Sequence, residues 1–164
     1  MPNNLYGPGD NYHIENSHVL AAMIRRYLEA KSNNQPKVIC WGTGKPFREF
    51  LYSEDLGDAC LFALENWDPS DSNAPVDDKG KPLTILNVGT GKDISIKKLA
   101  SIISQYTNYE GLTEWDASKP DGTPRKQLDV SRLSKLGWES KVSLEVGLKK
   151  TIQEIDDMGF DFNK

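Results

Sequence analysis

Apolar residues return at helical spacing from Leu20 onward. Leu20, Met23, Ile24 and Tyr27 fall at i, i+3, i+4 and i+7, and Asn16 or Ser17 before them is of the type that caps a helix. Asn33-Asn34-Gln35-Pro36 ends that helix. Lys37–Trp41 reads as a short strand, 42–46 as a glycine turn, and Arg48–Tyr52 as extended chain again. A second helix starts at Ser53-Glu54-Asp55, with Ser53 as N-cap and Leu56, Ala59, Cys60, Ala63, Leu64 and Trp67 as its buried stripe. Residues 68–82 are polar and rich in Pro and Gly, hence a surface loop. Leu83–Val88 reads as a strand closed by Gly89-Thr90-Gly91. A third helix runs from about Ser95 with Leu99, Ile102, Ile103 and Tyr106 on one face. Asp116–Lys126 is a polar loop. Asp129 caps a short helix carrying Leu133 and Leu136, and Ser143 caps a last one carrying Leu144, Leu148, Ile152 and Ile155. The stretch 2–17 is loop chemistry throughout and holds both histidines.

This pattern predicts an α/β domain, helix-rich with few short strands. So few strands do not make a self-sufficient parallel sheet with both faces covered. The length of 164 residues suits a single domain spanning 1–164. A net charge of −4 argues against a broad nucleic-acid surface, but a few placed arginines suffice for a small anion. The arginines are Arg25, Arg26, Arg48, Arg125 and Arg132. Cys40 and Cys60 lie far apart inside apolar stretches, which is neither metal spacing nor a disulfide framework, so both are expected buried in a reducing, cytoplasmic compartment. No apolar run is long enough for a membrane span, and none resembles a signal peptide.

The candidate chemistry is sparse. "GTGKP" at 42–46 and "GTGKD" at 89–93 complete neither a P-loop nor a dinucleotide fingerprint, and read as tight turns. His13 and His18 are too ill-spaced for a zinc site, so no metal is expected. His18 is placed by the pattern in a first helical turn, where the dipole favours a neutral imidazole fit for proton transfer; the competing reading is a capping or packing histidine. Arg26 edges the first helix's apolar stripe, Arg48 follows a glycine turn, and Arg125-Lys126 closes the long polar loop. An arginine fork suits phosphate oxygens, and Trp41 before a glycine turn suits stacking on a base or covering a sugar, although solvated charges and a core tryptophan fit equally.

Four stretches together carry a resemblance: "PNNLYGPGDNYHIENSHVLAAMIRRYLEAK", "VICWGTGKPFREFLYSEDLGDA", "LNVGTGKDISIKKLA" and "DASKPDGTPRKQLDVSRLSKLGW". The chain resembles, from Pro2 to about Leu148, the GDP-L-fucose synthases of the extended short-chain dehydrogenase family. The resemblance implies the substrate-binding C-terminal part of such an enzyme, lacking most of the Rossmann sheet. It places Met1 at an interior position, with the NADP-binding Rossmann half absent. The family's glycine fingerprint, Tyr-xxx-Lys pair and reactive cysteine are not found in this reading. It implies that Pro2, Asn3, Asn4 and Leu5 line the nicotinamide end of NADP. His18 would be the general acid beside that ring. Arg26, Trp41 and Arg48 would hold a GDP-sugar, with Asp121 and Lys126 in a loop closing over the nucleotide. Leu112 stands where relatives often carry a basic residue near the nucleotide, so one contact is expected to be missing. The implied reaction is 3,5-epimerisation and NADPH-dependent 4-reduction of GDP-4-keto-6-deoxy-D-mannose, with activity of this chain alone not expected. Expected partners are a GDP-sugar and either a separate Rossmann half or a second copy in a homodimer. Another nucleotide-sugar epimerase is the remaining alternative.

Overall fold

The computed structural model describes residues 1–159. Their elements run β1 (Asn4–Tyr6), α1 (Val19–Ser32), β2 (Lys37–Trp41), β3 (Phe47–Tyr52), α2 (Ser53–Asn66), β4 (Asp93–Ser95), α3 (Ile96–Tyr106), β5 (Leu112–Asp116), β6 (Arg125–Lys126), α4 (Ser131–Leu136) and α5 (Leu144–Met158). The class is α/β, with short strands between longer helices. No helix among the described residues is long and apolar enough to cross a membrane.

The strands form two small sheets. β2 and β5 pair in parallel, Lys37 opposite Leu112 and Trp41 opposite Asp116. β3 organises the other sheet. Its Phe47–Glu49 run antiparallel to β4, its Phe47–Arg48 parallel to β6, and its Phe50–Tyr52 parallel to β1. Ile24 and Tyr27 of α1, Leu99 and Ile103 of α3 and Leu148 of α5 lose all solvent contact in one core. A smaller cluster gathers Leu51, Ala59, Leu86, Leu133 and Trp138. The helical periodicity placed the right faces inward on α1, α3 and α5, because an amphipathic helix must bury its apolar stripe. Ser143 caps α5 as expected, accepting the Val146 N–H, and Ser95, where the third helix was expected to begin, caps α3 by accepting the Lys98 N–H.

Several expectations are corrected. His18, not Asn16 or Ser17, is the N-cap residue of α1, so it precedes the first turn. Ser53 opens α2 inside the helix, with Tyr52 at the N-cap and no side-chain cap bond. The α2 stripe is rotated from the expected one: Cys60 is exposed, Leu64 is 83% exposed and Leu61 63%. Asp55 explains this. It is buried, and its carboxylate accepts the N–H groups of Lys141 and Val142, which turns the Asp55–Ala59 face inward. Cys40 is buried as expected, and both cysteines are free. Leu83–Val88 makes no ladder, only a bridge from Val88 to Pro2. β1 and β6 arise where loop chemistry was read, β4 between a glycine turn and the third helix, and β5 where no element was expected.

Candidate functional site

Trp41 ends β2 and is 61% exposed. The Arg26 guanidinium lies 5.2 Å from the ring centroid, and the Lys119 ammonium 5.6 Å from it. Both cations therefore draw on the π-face of one exposed indole. Across the sheet Asp116 ends β5, and residues 117–124 leave from there. Asp121 folds that loop back onto the turn at 42–44, its two carboxylate oxygens accepting the Thr43 N–H at 2.6 Å and the Thr43 hydroxyl at 2.7 Å. Those bonds, the hydroxyl's first, hold the Asp121 carboxyl below its usual value, with the Lys45 charge helping. Gly42 (φ +80°) makes the approach possible: a Cβ there would lie 2.3 Å from an Asp121 oxygen. Asp121 thus positions the loop rather than presenting a free carboxylate.

The same loop delivers Lys126. β6 pairs with β3 so that Phe47 faces Arg125 and Arg48 faces Lys126. The Arg125 guanidinium lies 5.6 Å from the Phe47 ring, which shows that register partners share a face; Arg48 and Lys126 share the opposite one. The carboxylates then sort the arginines. Arg25 pairs with Glu29, Arg125 with Asp93 and Arg132 loosely with Asp78. Arg26 and Arg48 meet no carboxylate among the described residues. Arg48 donates to its neighbour's carbonyl, at Phe47, and Arg26 reaches the Ile39 carbonyl at 3.4 Å. These are the two arginines that the resemblance assigns to a GDP-sugar, and no carboxylate among the described residues compensates their charge; Arg125, also singled out from the sequence, is taken up by Asp93.

The two histidines part ways. His13 Nδ1 accepts the N–H groups of Glu15 and Asn16 inside a loop that also uses Asn11, so it is a structural residue. Buried Tyr12 anchors this loop through its carbonyl, which accepts from Arg25. His18 is exposed; its carbonyl accepts the Ala22 N–H, and its ring has no partner among the described residues. It stands eight residues before Arg26, about 12 Å along the axis of α1. Pro2 bridges Val88, and Asn4-Leu5 lie in β1 beside Phe50-Leu51. The Asn3 amide is buried with neither polar atom satisfied, and faces Gly89.

Two readings from the sequence are revised here. Leu112 does not border the site: it begins β5, four strand residues or about 13 Å before Asp116. The Tyr-xxx-Lys spacing does occur, at Tyr27–Lys31, but it is no catalytic pair. Tyr27 is fully buried, its hydroxyl shares a 2.7 Å hydrogen bond with Thr113, and burial pushes it up to about 12. Lys119, Thr43 and Glu49 were missed. A carboxylate inside the apolar run 47–52 was the available signal for Glu49, since a buried charge demands partners.

The glycine turns hold no phosphate cradle. The space a Cβ would take is filled by Asp121 at Gly42, the Trp115 ring at Gly44, the Glu49 carboxylate at Gly89 and Val130 at Gly91. At the start of the chain Pro2 and Asn4-Leu5 are engaged in backbone pairing with Val88 and β3, and beside α1 the His18 ring is exposed. Among the described residues no cluster of His, Cys, Asp and Glu fits a metal.

Residues 1–77 match the NAD dependent epimerase/dehydratase family. GDP-L-fucose synthase 1 of Arabidopsis thaliana is 48% identical over 151 residues, 92% of this chain and 43% of the relative. The GDP-L-fucose synthase of Escherichia coli (strain K12) is 47% identical over 153 residues, 93% of this chain and 46% of the relative. The chain thus spans a little under half the length of these curated relatives. Among solved structures, a GDP-6-OMe-4-keto-L-xylo-heptose reductase from C. jejuni superposes with a TM-score of 0.82 at 31% identity, covering 96% of this chain and 53% of that one. A GDP-L-fucose synthetase from Naegleria fowleri bound to NADP superposes with a TM-score of 0.80 at 26% identity, covering 95% and 45%.

Proposed function

Since the chain belongs to the NAD dependent epimerase/dehydratase family, as an extended short-chain dehydrogenase, we propose that it is the GDP-sugar-binding portion of a GDP-L-fucose synthase. The observation that carries this reading is the grouping of uncompensated cations. Arg26 stands over exposed Trp41, Arg48 stands beside Lys126, and neither arginine meets a carboxylate among the described residues. A diphosphate supplies what these groups lack, and arginine forks match its oxygens. Trp41 covers the base or the sugar. Asp121 holds the loop that carries Lys119 and leads to Lys126.

In the whole reaction a 4-keto group acidifies the sugar's C3 and C5 hydrogens, so that each carbon can lose a proton and regain it on the other face. His18 returns that proton: its ring is exposed and its backbone is fixed at the start of α1. Pro2–Leu5 and His18 would line the nicotinamide end of NADPH, which when bound would supply the hydride for reduction at C4. Titration calorimetry with GDP-mannose tests the binding. The folded chain binds, and Arg48→Ala weakens binding at least about tenfold, as expected for loss of a charge-assisted contact. No binding by the folded wild type, or equal binding by the variant, overturns the reading.

A second observation favours work in complex. Leu61 and Leu64, three residues apart on one side of α2, are 63% and 83% exposed and give that side of the helix an apolar surface. The reading is that this face docks the cofactor-binding half of such an enzyme in the cytoplasm. Sedimentation of this chain with the N-terminal half of the Arabidopsis thaliana relative gives a one-to-one complex. Self-association alone would instead favour a homodimer.

A further inference from the structure

Glu49 lies in the middle of β3 and is completely buried, yet forms no ion pair among the described residues. Its charge is answered by hydrogen-bond donors instead. One oxygen accepts the Gly91 N–H at 2.7 Å and, more distantly, the Thr90 hydroxyl at 3.4 Å. The other accepts the Leu128 N–H at 2.8 Å. The Glu49 main-chain carbonyl accepts the Asn4 side-chain amide. One residue therefore joins β3, the turn at 89–91, β1 and the stretch just after β6.

The placement of those bonds gives them a purpose. Alternation along β3 sends Glu49 to the face opposite Arg48, so its negative charge does not confront an anion held by Arg48. The Leu128 N–H lies two residues beyond Lys126. On the other side of Lys126, Arg125 is pinned by Asp93. Gln127 adds a bond to the Gly91 carbonyl. β6 is only two residues long, too short to hold its own register. We infer that Glu49 is a positioning residue for the diphosphate clamp: its carboxylate anchors residues 126–128 so that Lys126 stands beside Arg48. This rests on the GDP-sugar reading above and deepens it.

Glu49→Gln tests it. Glutamine keeps one acceptor but turns an NH2 toward an N–H, leaving either Leu128 or Gly91 unanswered. GDP affinity is measured by calorimetry in Glu49→Gln, Lys126→Ala, Arg26→Ala and the doubles that pair Glu49→Gln with each of the other two. Glu49→Gln weakens GDP binding about tenfold. In the Lys126→Ala background it weakens binding no further, and in the Arg26→Ala background its full effect persists. Leu128→Pro removes the donor facing Glu49 from the other side of the bond, and against a Leu128→Ala control for the lost side chain it reproduces that pattern if Glu49→Gln does not fold. Equal losses in both backgrounds would make Glu49 a general scaffold residue and overturn the inference. So would unchanged affinity in either variant. Failure of the wild type to bind GDP would sink the underlying reading as well, a separate and visible result.

Discussion

Single residues at the Trp41 end divide into those that meet an anion and those that shape the ground around it. Asp121 is of the second kind. Its carboxyl is depressed in the folded protein, so the tie to Thr43 is present above the ordinary value of 3.8 and is lost only as pH falls through the lower folded one. Asp121→Ala removes the acceptors of both Thr43 bonds at every pH. GDP-mannose affinity falls several-fold, and the gap from wild type is the same at pH 5 and pH 8 by calorimetry. Tyr27 is the contrasting case. Tyr27→Phe removes the hydrogen bond to Thr113 and costs about 1 kcal/mol in thermal unfolding. GDP-mannose affinity stays at the wild-type level, as expected of a core tyrosine with a lysine four residues later by coincidence of spacing.

At the scale of elements, serine caps discriminate between similar sequence signals. Ser95 accepts the Lys98 N–H, so Ser95→Ala destabilises by about 1 kcal/mol; Ser53→Ala stays within about 0.5 kcal/mol, because Ser53 caps nothing. Differential scanning calorimetry of the two variants side by side checks the contrast. The helices α1, α3 and α5 were legible because their periodicity answers directly to one core. α2 was legible as a helix but not in its orientation, which Asp55 fixes through contacts with Lys141 and Val142, far away in sequence. β1, β4 and β6 have two or three residues each, too few for alternation to show, and β5 has a partner that only the fold brings near. Arg26, Trp41, Arg48 and Lys126 were readable as a group through resemblance. That Asp121 and Glu49 spend their charge on backbone and hydroxyl donors was not, since a sequence does not say which N–H a carboxylate will meet.

On the scale of the whole molecule, the exposed Leu61 and Leu64 set an expectation about company. Leu64→Asp leaves the melting temperature close to that of the wild type, since the side chain touches almost only solvent, and abolishes the one-to-one complex in sedimentation. An unchanged complex would move the docking face elsewhere. The pairing of β2 with β5 has a consequence of another sort, in the order of synthesis. Trp41 and Thr43 leave the ribosome before Asp116, Asp121 and Lys126, which follow only after α2, the long loop and α3 have been made. Contacts so far apart in sequence reward the chain only once the intervening loop has closed. In a growing chain the anion-holding end therefore stays half built, Arg26 and Trp41 without the loop that faces them, until residues 112–126 arrive and β5 finds its strand.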